Sequence, residues 1–178
     1  MHNIRYKTSY RNIKYPRLEF TTGELLLVLP VRLKPDIILE KHKNWIFKKN
    51  EFIRECLNLS SNKRLIERSE KEFRTLIEKF VKKISKELSI GLNNIYFRNM
   101  KTKWASLSPK RNLTINILMQ KLPKYLIKYV IFHEITHLIE KRHNENFWKI
   151  VSKRFNNYRN LEKDLFIYWF NIQYGTRK

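Results

Sequence analysis

Apolar positions recur along this chain with two different spacings, and the changes between them outline its elements. Residues 4 to 30 read as strands: Arg17, Leu18, Glu19 and Phe20 precede Thr21-Thr22-Gly23-Glu24, and Leu25 to Leu29 follow, ending at Pro30. A glycine-containing turn between two β-rich runs predicts a hairpin. Pro35-Asp36 then opens a helical stretch through about Leu57, carrying Ile38, Trp45, Phe52, Ile53 and Cys56, and Ser60-Ser61-Asn62 breaks it. The clearest helix follows. Phe73, Leu76, Ile77, Phe80, Val81, Ile84 and Leu88 fall three or four residues apart and form one continuous apolar face, with the lysines mostly on the other side.

Ile95 to Met100 and Leu113 to Leu118 read as two more strands, with the intervening residues, Lys101 to Pro109 among them, as their connection. Pro123 suits the first turn of a helix, and Leu126, Ile127, Val130 and Ile131 continue the apolar spacing up to His133. Two further helices are predicted around Asn146 to Phe155 and Leu161 to Ile172. Strands, helices, strands, helices in that order predict an α+β fold and not alternating βαβ units.

With 178 residues the chain suits a single domain with an ordinary core. Its charge is the unusual quantity: 38 Lys+Arg against 16 Asp+Glu give +22. Such a field attracts polyanions, so nucleic acid is a candidate partner. No zinc finger, RRM aromatic motif or clear helix-turn-helix accompanies it. A single cysteine, Cys56, excludes an internal disulfide framework and an all-cysteine zinc site, and it reads as a small core residue. The basic first residues lack the apolar run of a secretory signal, and no apolar run is long enough for a membrane span, which predicts a cytoplasmic protein.

The chemistry concentrates in His133-Glu134-Ile135-Thr136-His137. On a helix four residues turn the chain by about 400°, so the two imidazoles project about 40° apart and can reach one metal ion. Glu134 lies beside them. Histidine nitrogens suit Zn²⁺, and a catalytic site needs a third ligand plus an open position for water. His143 is the nearest candidate. A continuous helix would point it elsewhere, so the helix is expected to end near Glu140 to Arg142 and the chain to turn back, with Asn144 capping the next helix. A thermolysin-like third ligand would be acidic and farther on, where Glu162 is the best candidate but ranks well behind His143.

The stretch from Tyr129 to His137, followed by His143-Asn144-Glu145-Asn146-Phe147-Trp148, resembles the YgjP-like metal-dependent hydrolases, of the WLM and SprT-like zincin metallopeptidase group. The likeness extends to Lys103-Trp104-Ala105-Ser106-Leu107-Ser108, where that family usually has Gly and Cys in place of Ala105 and Leu107. It also takes in Leu113-Thr114-Ile115-Asn116, Lys41-His42-Lys43-Asn44-Trp45-Ile46 and the basic N-terminal strands. It implies a zincin-like fold, one Zn²⁺ ion held by His133, His137 and His143, Glu134 as general base, and a peptide or protein substrate. On that basis residues 1-178 form one YgjP-like metallopeptidase domain, with 1-34 a β-rich N-terminal subregion and 90-178 the catalytic core. In metzincins, which share this ligand spacing, a Gly stands where this chain has Glu140.

The leading expectation is therefore a zinc-dependent hydrolase, a metallopeptidase in the first instance. Two alternatives stand beside it: a metal-dependent nucleoside triphosphate pyrophosphatase, and a basic nucleic-acid-binding module with a structural metal. The first lacks a Gly-rich phosphate loop and has only two aspartates, Asp36 and Asp164, for Mg²⁺. The second requires a fourth protein ligand that no nearby cysteine supplies. Trp104, Tyr158 and Arg159 are the candidates for substrate contact and for stabilising a developing oxyanion. Trp104 reads equally well as core. Trp45, Trp148 and Trp169 read as packing residues, and His42, among lysines, as exposed.

Overall fold

The computed structural model describes residues 6–21 and 24–175. Three strands open the chain: β1 (Tyr6–Arg11), β2 (Arg17–Thr21) and β3 (Glu24–Pro30). The hairpin expected from the sequence joins β2 and β3, with Thr21 opposite Glu24 and Arg17 opposite Val28. Its Thr22-Gly23 turn lies outside the described residues. β1 runs parallel to β3 on the other side, which makes β3 the central strand. That position explains its unbroken run of leucine and valine, since Leu25, Leu27, Val28 and Leu29 are all buried.

The single helical stretch expected over Pro35 to Leu57 is two helices, α1 (Pro35–Lys41) and α2 (Lys43–Ser60), meeting at half-buried His42. The kink turns Ile38 and Ile46 onto the leucines of β3. Trp45, expected to pack, is 46% exposed with its ring against Phe20, while its neighbour Ile46 takes the buried place. Cys56 is fully buried beside Ile53, Ile167 and Phe170, as expected of a small core residue.

α3 (Glu70–Leu88) buries Phe73, Ile77, Val81 and Ile84 from the predicted face. Its start is fixed by a capping box: the Ser69 hydroxyl accepts from the Glu72 N–H, and the Glu72 carboxylate accepts from the Ser69 N–H. A second sheet follows, built from β4 (Asn94–Arg98), β5 (Ala105–Leu107) and β6 (Asn112–Asn116) in the order β4-β6-β5. β5 falls within the connection expected between Met100 and Leu113. Three residues are too few for alternation to mark them, and pairing with Leu113–Ile115 makes them a strand.

After a 3-10 turn at Ile117–Lys121, Pro123 caps α4 (Lys124–Thr136). Leu126, Ile127, Tyr129, Val130, Ile131, Phe132 and Ile135 are all buried, so α4 is enclosed on every side. It packs against α3, β5, α5 (Glu145–Arg154) and α6 (Tyr158–Gly175). The central core thus surrounds the helix that carries the His/Glu motif. Among the described residues no helix is long and apolar enough to cross a membrane.

Candidate metal centre

α4 ends at Thr136, earlier than the expected Glu140 to Arg142. The last turn tightens into shorter-range bonds, Leu138 N–H to the Ile135 carbonyl (3.0 Å) and Ile139 N–H to the Thr136 carbonyl (2.9 Å). The early stop frees the chain to return. His137, just past the helix, turns its Nδ1 to the Glu140 carbonyl at 3.2 Å. A carbonyl only accepts, so Nδ1 carries the proton and Nε2 keeps its lone pair. The next helix is capped as the sequence predicts: the Asn144 side chain accepts from the Phe147 N–H at 3.1 Å.

His143 lies on the returning loop, and its Nε2 stands 2.9 Å from the Nε2 of His133. His133, His137 and His143 each offer one nitrogen, all within 4.8 Å of one another. Two nitrogens on one tetrahedral zinc stand about 3.3 Å apart when each bond is about 2.0–2.1 Å. The 2.9 Å separation is therefore within a few tenths of an ångström of a ligating arrangement. The residues present fit the ion.

Two aromatic rings hold this cluster, and neither role was legible in the sequence. Phe147, fully buried, touches all three imidazoles, with ring centroids 4.9, 4.7 and 4.7 Å away. Trp148 stacks on His143 at 5.6 Å and donates its Nε1–H to the His143 carbonyl at 3.2 Å. Tyr158 stacks in turn on Trp148 at 4.7 Å, and Arg159 donates to the Tyr158 hydroxyl. Tyr158 and Arg159 are not among the residues that line the cleft. The signal in the sequence for Phe147 and Trp148 was their place in the family-like stretch that begins at His143.

Glu162 is outside the ligand cluster. Its carboxylate accepts from the Tyr129 hydroxyl and faces the Nδ1 of His133 at 3.5 Å. That nitrogen is buried and otherwise unpartnered. A carboxylate on this side keeps the proton on Nδ1 and leaves Nε2 bare toward the other histidines.

Burial, then the neighbouring His143 and His137, push the His133 pKa down to about 3. Burial also lowers that of His137. Both are therefore neutral near pH 7, the form that binds a metal. Glu134 moves the other way. Burial raises its carboxyl to about 7, against the opposing pull of the Lys103 charge and a hydrogen bond from the Leu107 N–H.

The site opens into a cleft of about 810 Å³. One wall is the loop before β5 together with β5 itself, and the other is the end of α4 with the returning loop. Trp104 is half-buried. It lines the cleft, and its far edge meets Trp169 at 4.9 Å and 90°. Buried Asn116 sets its position, donating to the Met100 carbonyl (2.8 Å) and the Lys103 carbonyl (2.7 Å) and so clamping the loop.

A family model, YgjP-like, metallopeptidase domain, matches residues 57–167, more than half of the chain. The chain belongs to the YgjP-like metallopeptidase family. The matched span contains the whole histidine cluster and its aromatic supports, so a metal-dependent hydrolase acting on peptides follows from membership. Among solved structures, the chain is similar to two metallopeptidase zymogens. Abylysin of Pyrococcus abyssi is 23% identical over 49% of this chain and 87% of its own, with a TM-score of 0.44. Jannalysin of Methanocaldococcus jannaschii is 26% identical over 56% and 92%, with a TM-score of 0.46. No curated protein matches.

Proposed function

We propose that this YgjP-like protein is a zinc peptidase, with His133, His137 and His143 as ligands of one zinc ion and Glu134 as general base. The observation that carries this reading is the meeting of three imidazole nitrogens within 4.8 Å at the floor of an open cleft, with a buried carboxyl beside them. Neutral nitrogen donors suit zinc better than the oxygen-preferring Mg²⁺ or Ca²⁺. Among the described residues the cluster has three members and no fourth, which favours a working site over a closed structural one.

When bound, zinc supplies Lewis acidity toward the scissile carbonyl and makes a water molecule acidic near neutral pH. Glu134 takes the proton from the attacking water and returns it to the departing amine. Phe147 and Trp148 keep the imidazoles from turning away, and Glu162 holds the ring of His133. The 810 Å³ cleft accommodates an extended peptide against Trp104.

The test combines zinc stoichiometry with turnover of an unfolded polypeptide and of nucleoside triphosphates, in the wild type, Glu134→Gln and His137→Ala. The wild type is expected to carry one zinc and to cut the polypeptide. Glu134→Gln keeps the zinc and loses about 10²–10⁴-fold in rate. His137→Ala loses the metal itself. Full activity in Glu134→Gln, or hydrolysis of triphosphates with the polypeptide left intact, overturns the assignment.

A further inference from the structure

We propose that the cleft selects acidic polypeptide segments, and that Arg111, Lys103 and Lys141 read carboxylates beside the scissile bond. The proposal rests on the peptidase reading above and names its substrate class.

All three cations line the same cleft as the histidines. Each is exposed, and among the described residues none forms an ion pair with a carboxylate. The two carboxylates that do line the cleft are already engaged. Glu134 sits beside the ligands under the charge of Lys103, and Glu162 accepts from Tyr129 while facing His133. Nothing acidic in the cleft is left to attract a basic substrate. The surrounding +22 charge repels one as well, because a cleft lined by one sign of charge concentrates ligands of the other.

Arg111 carries the strongest sign of purpose. It closes the turn between β5 and β6 at φ 55°, a backbone region that L side chains avoid and that hairpin turns ordinarily give to glycine. Five bonds hold the turn, among them one from the Ser108 N–H to the Asn112 carbonyl (3.0 Å). The Arg111 N–H donates to the Ser108 carbonyl (2.9 Å) and the Asn112 N–H to the Ser108 hydroxyl (3.2 Å). The Asn93 N–H donates to the Arg111 carbonyl (2.9 Å), and the Asn93 side-chain amide to the Lys110 carbonyl (2.9 Å). Lys103 is fixed from the other end of β5 by Asn116. Both cations therefore stand on immobilised backbone, so the ordering cost of binding a carboxylate falls on their side chains alone. A guanidinium suits such a partner because it can grip both oxygens. These charges lie inside a cleft and not across a broad face, which favours an extended peptide over a nucleic-acid duplex.

The experiment uses two fluorescent peptides matched in length, one with Asp and Glu flanking a central apolar residue and the other with Asn and Gln. Anisotropy with the zinc-loaded Glu134→Gln protein measures affinity without turnover, and the wild type measures cleavage. The acidic peptide is expected to bind about tenfold tighter at low salt, the gap closing as salt rises. Arg111→Gly should narrow that gap to about threefold while its melting temperature holds or rises, since glycine relieves the strained turn. Lys141→Gln, on the returning loop, should narrow it without touching the turn. Equal affinities for the two peptides, or a gap that both variants leave intact, overturn the proposal. So does a duplex oligonucleotide that binds more tightly than the acidic peptide and is weakened equally by both variants. If the binding preference holds but the wild type cuts neither peptide, the peptidase reading fails while the selection of acidic segments stands.

Discussion

The chain builds the same three-strand arrangement twice, and the two copies have different neighbours. In each sheet the third strand lies in the middle, parallel to the first and antiparallel to the second. In the N-terminal sheet the core is made by the central strand β3 under α1 and α2, while the outer β1 is exposed at all but one position. In the second sheet the outer strand is the important one. Ala105 is buried against the core that contains α4, and all of β5 lines the cleft together with Glu134. Topology alone therefore assigns no chemistry. A short strand acquires a role when a buried helix end packs beside it.

The sharpest way to break that contrast is to remove the ring beneath the histidines. Phe147→Ala should cost about 3–5 kcal/mol in chemical denaturation and lower zinc occupancy, because the same ring fills the core and touches all three imidazoles. Leu27→Ala, at a fully buried position of β3, should cost about 2–5 kcal/mol and leave zinc affinity unchanged, since its cluster shares no buried residue with the one around α4. Zinc loss in Leu27→Ala would mean that the two halves are energetically one. Glu162→Gln should be nearly silent in denaturation while weakening zinc by about 10–100-fold in a chelator competition, because its carboxylate faces the Nδ1 of His133.

The smallest effect lies at the far end of the central core. Hydrogen bonds from the Ser69 hydroxyl and N–H hold the exposed Glu72 carboxyl below its ordinary pKa. A depressed folded-state pKa gives stability that is present above the unfolded value and fades as pH falls through the folded one. The melting-temperature difference between wild type and Glu72→Gln should therefore be small at pH 7 and vanish in acid. A difference that persists at low pH would mean that the cap does not act through the ionised carboxylate.

Much of this was legible beforehand where the signal is local. The α3 face, the Asn144 cap, the β2–β3 hairpin and the His133/Glu134/His137 spacing each follow from rules acting over a few residues. The misreadings have a common origin. β5 exists because β6 pairs with it, α1 and α2 part at His42 to place Ile38 and Ile46 on β3, and α4 ends early because its last carbonyls and the His137 ring find other partners. Glu162, ranked behind His143 as a third ligand, faces the Nδ1 of His133. Tyr158 and Arg159, candidates for substrate contact, make a stack on Trp148 and a hydrogen bond to each other.

By itself the amino-acid order determined which side chains could bind a metal, the helix whose last turn and cap present His133 and His137, and the excess of positive charge, since these depend on residue type and on the fixed pitch of a helix. Only tertiary packing decided that His143 returns to the same point, that Phe147 and Trp148 brace it, and that Arg111 and Lys103 share one cleft with the histidines. Those relations join residues whose distances are set by the loops and by the core beneath them, and no spacing along the chain encodes such distances.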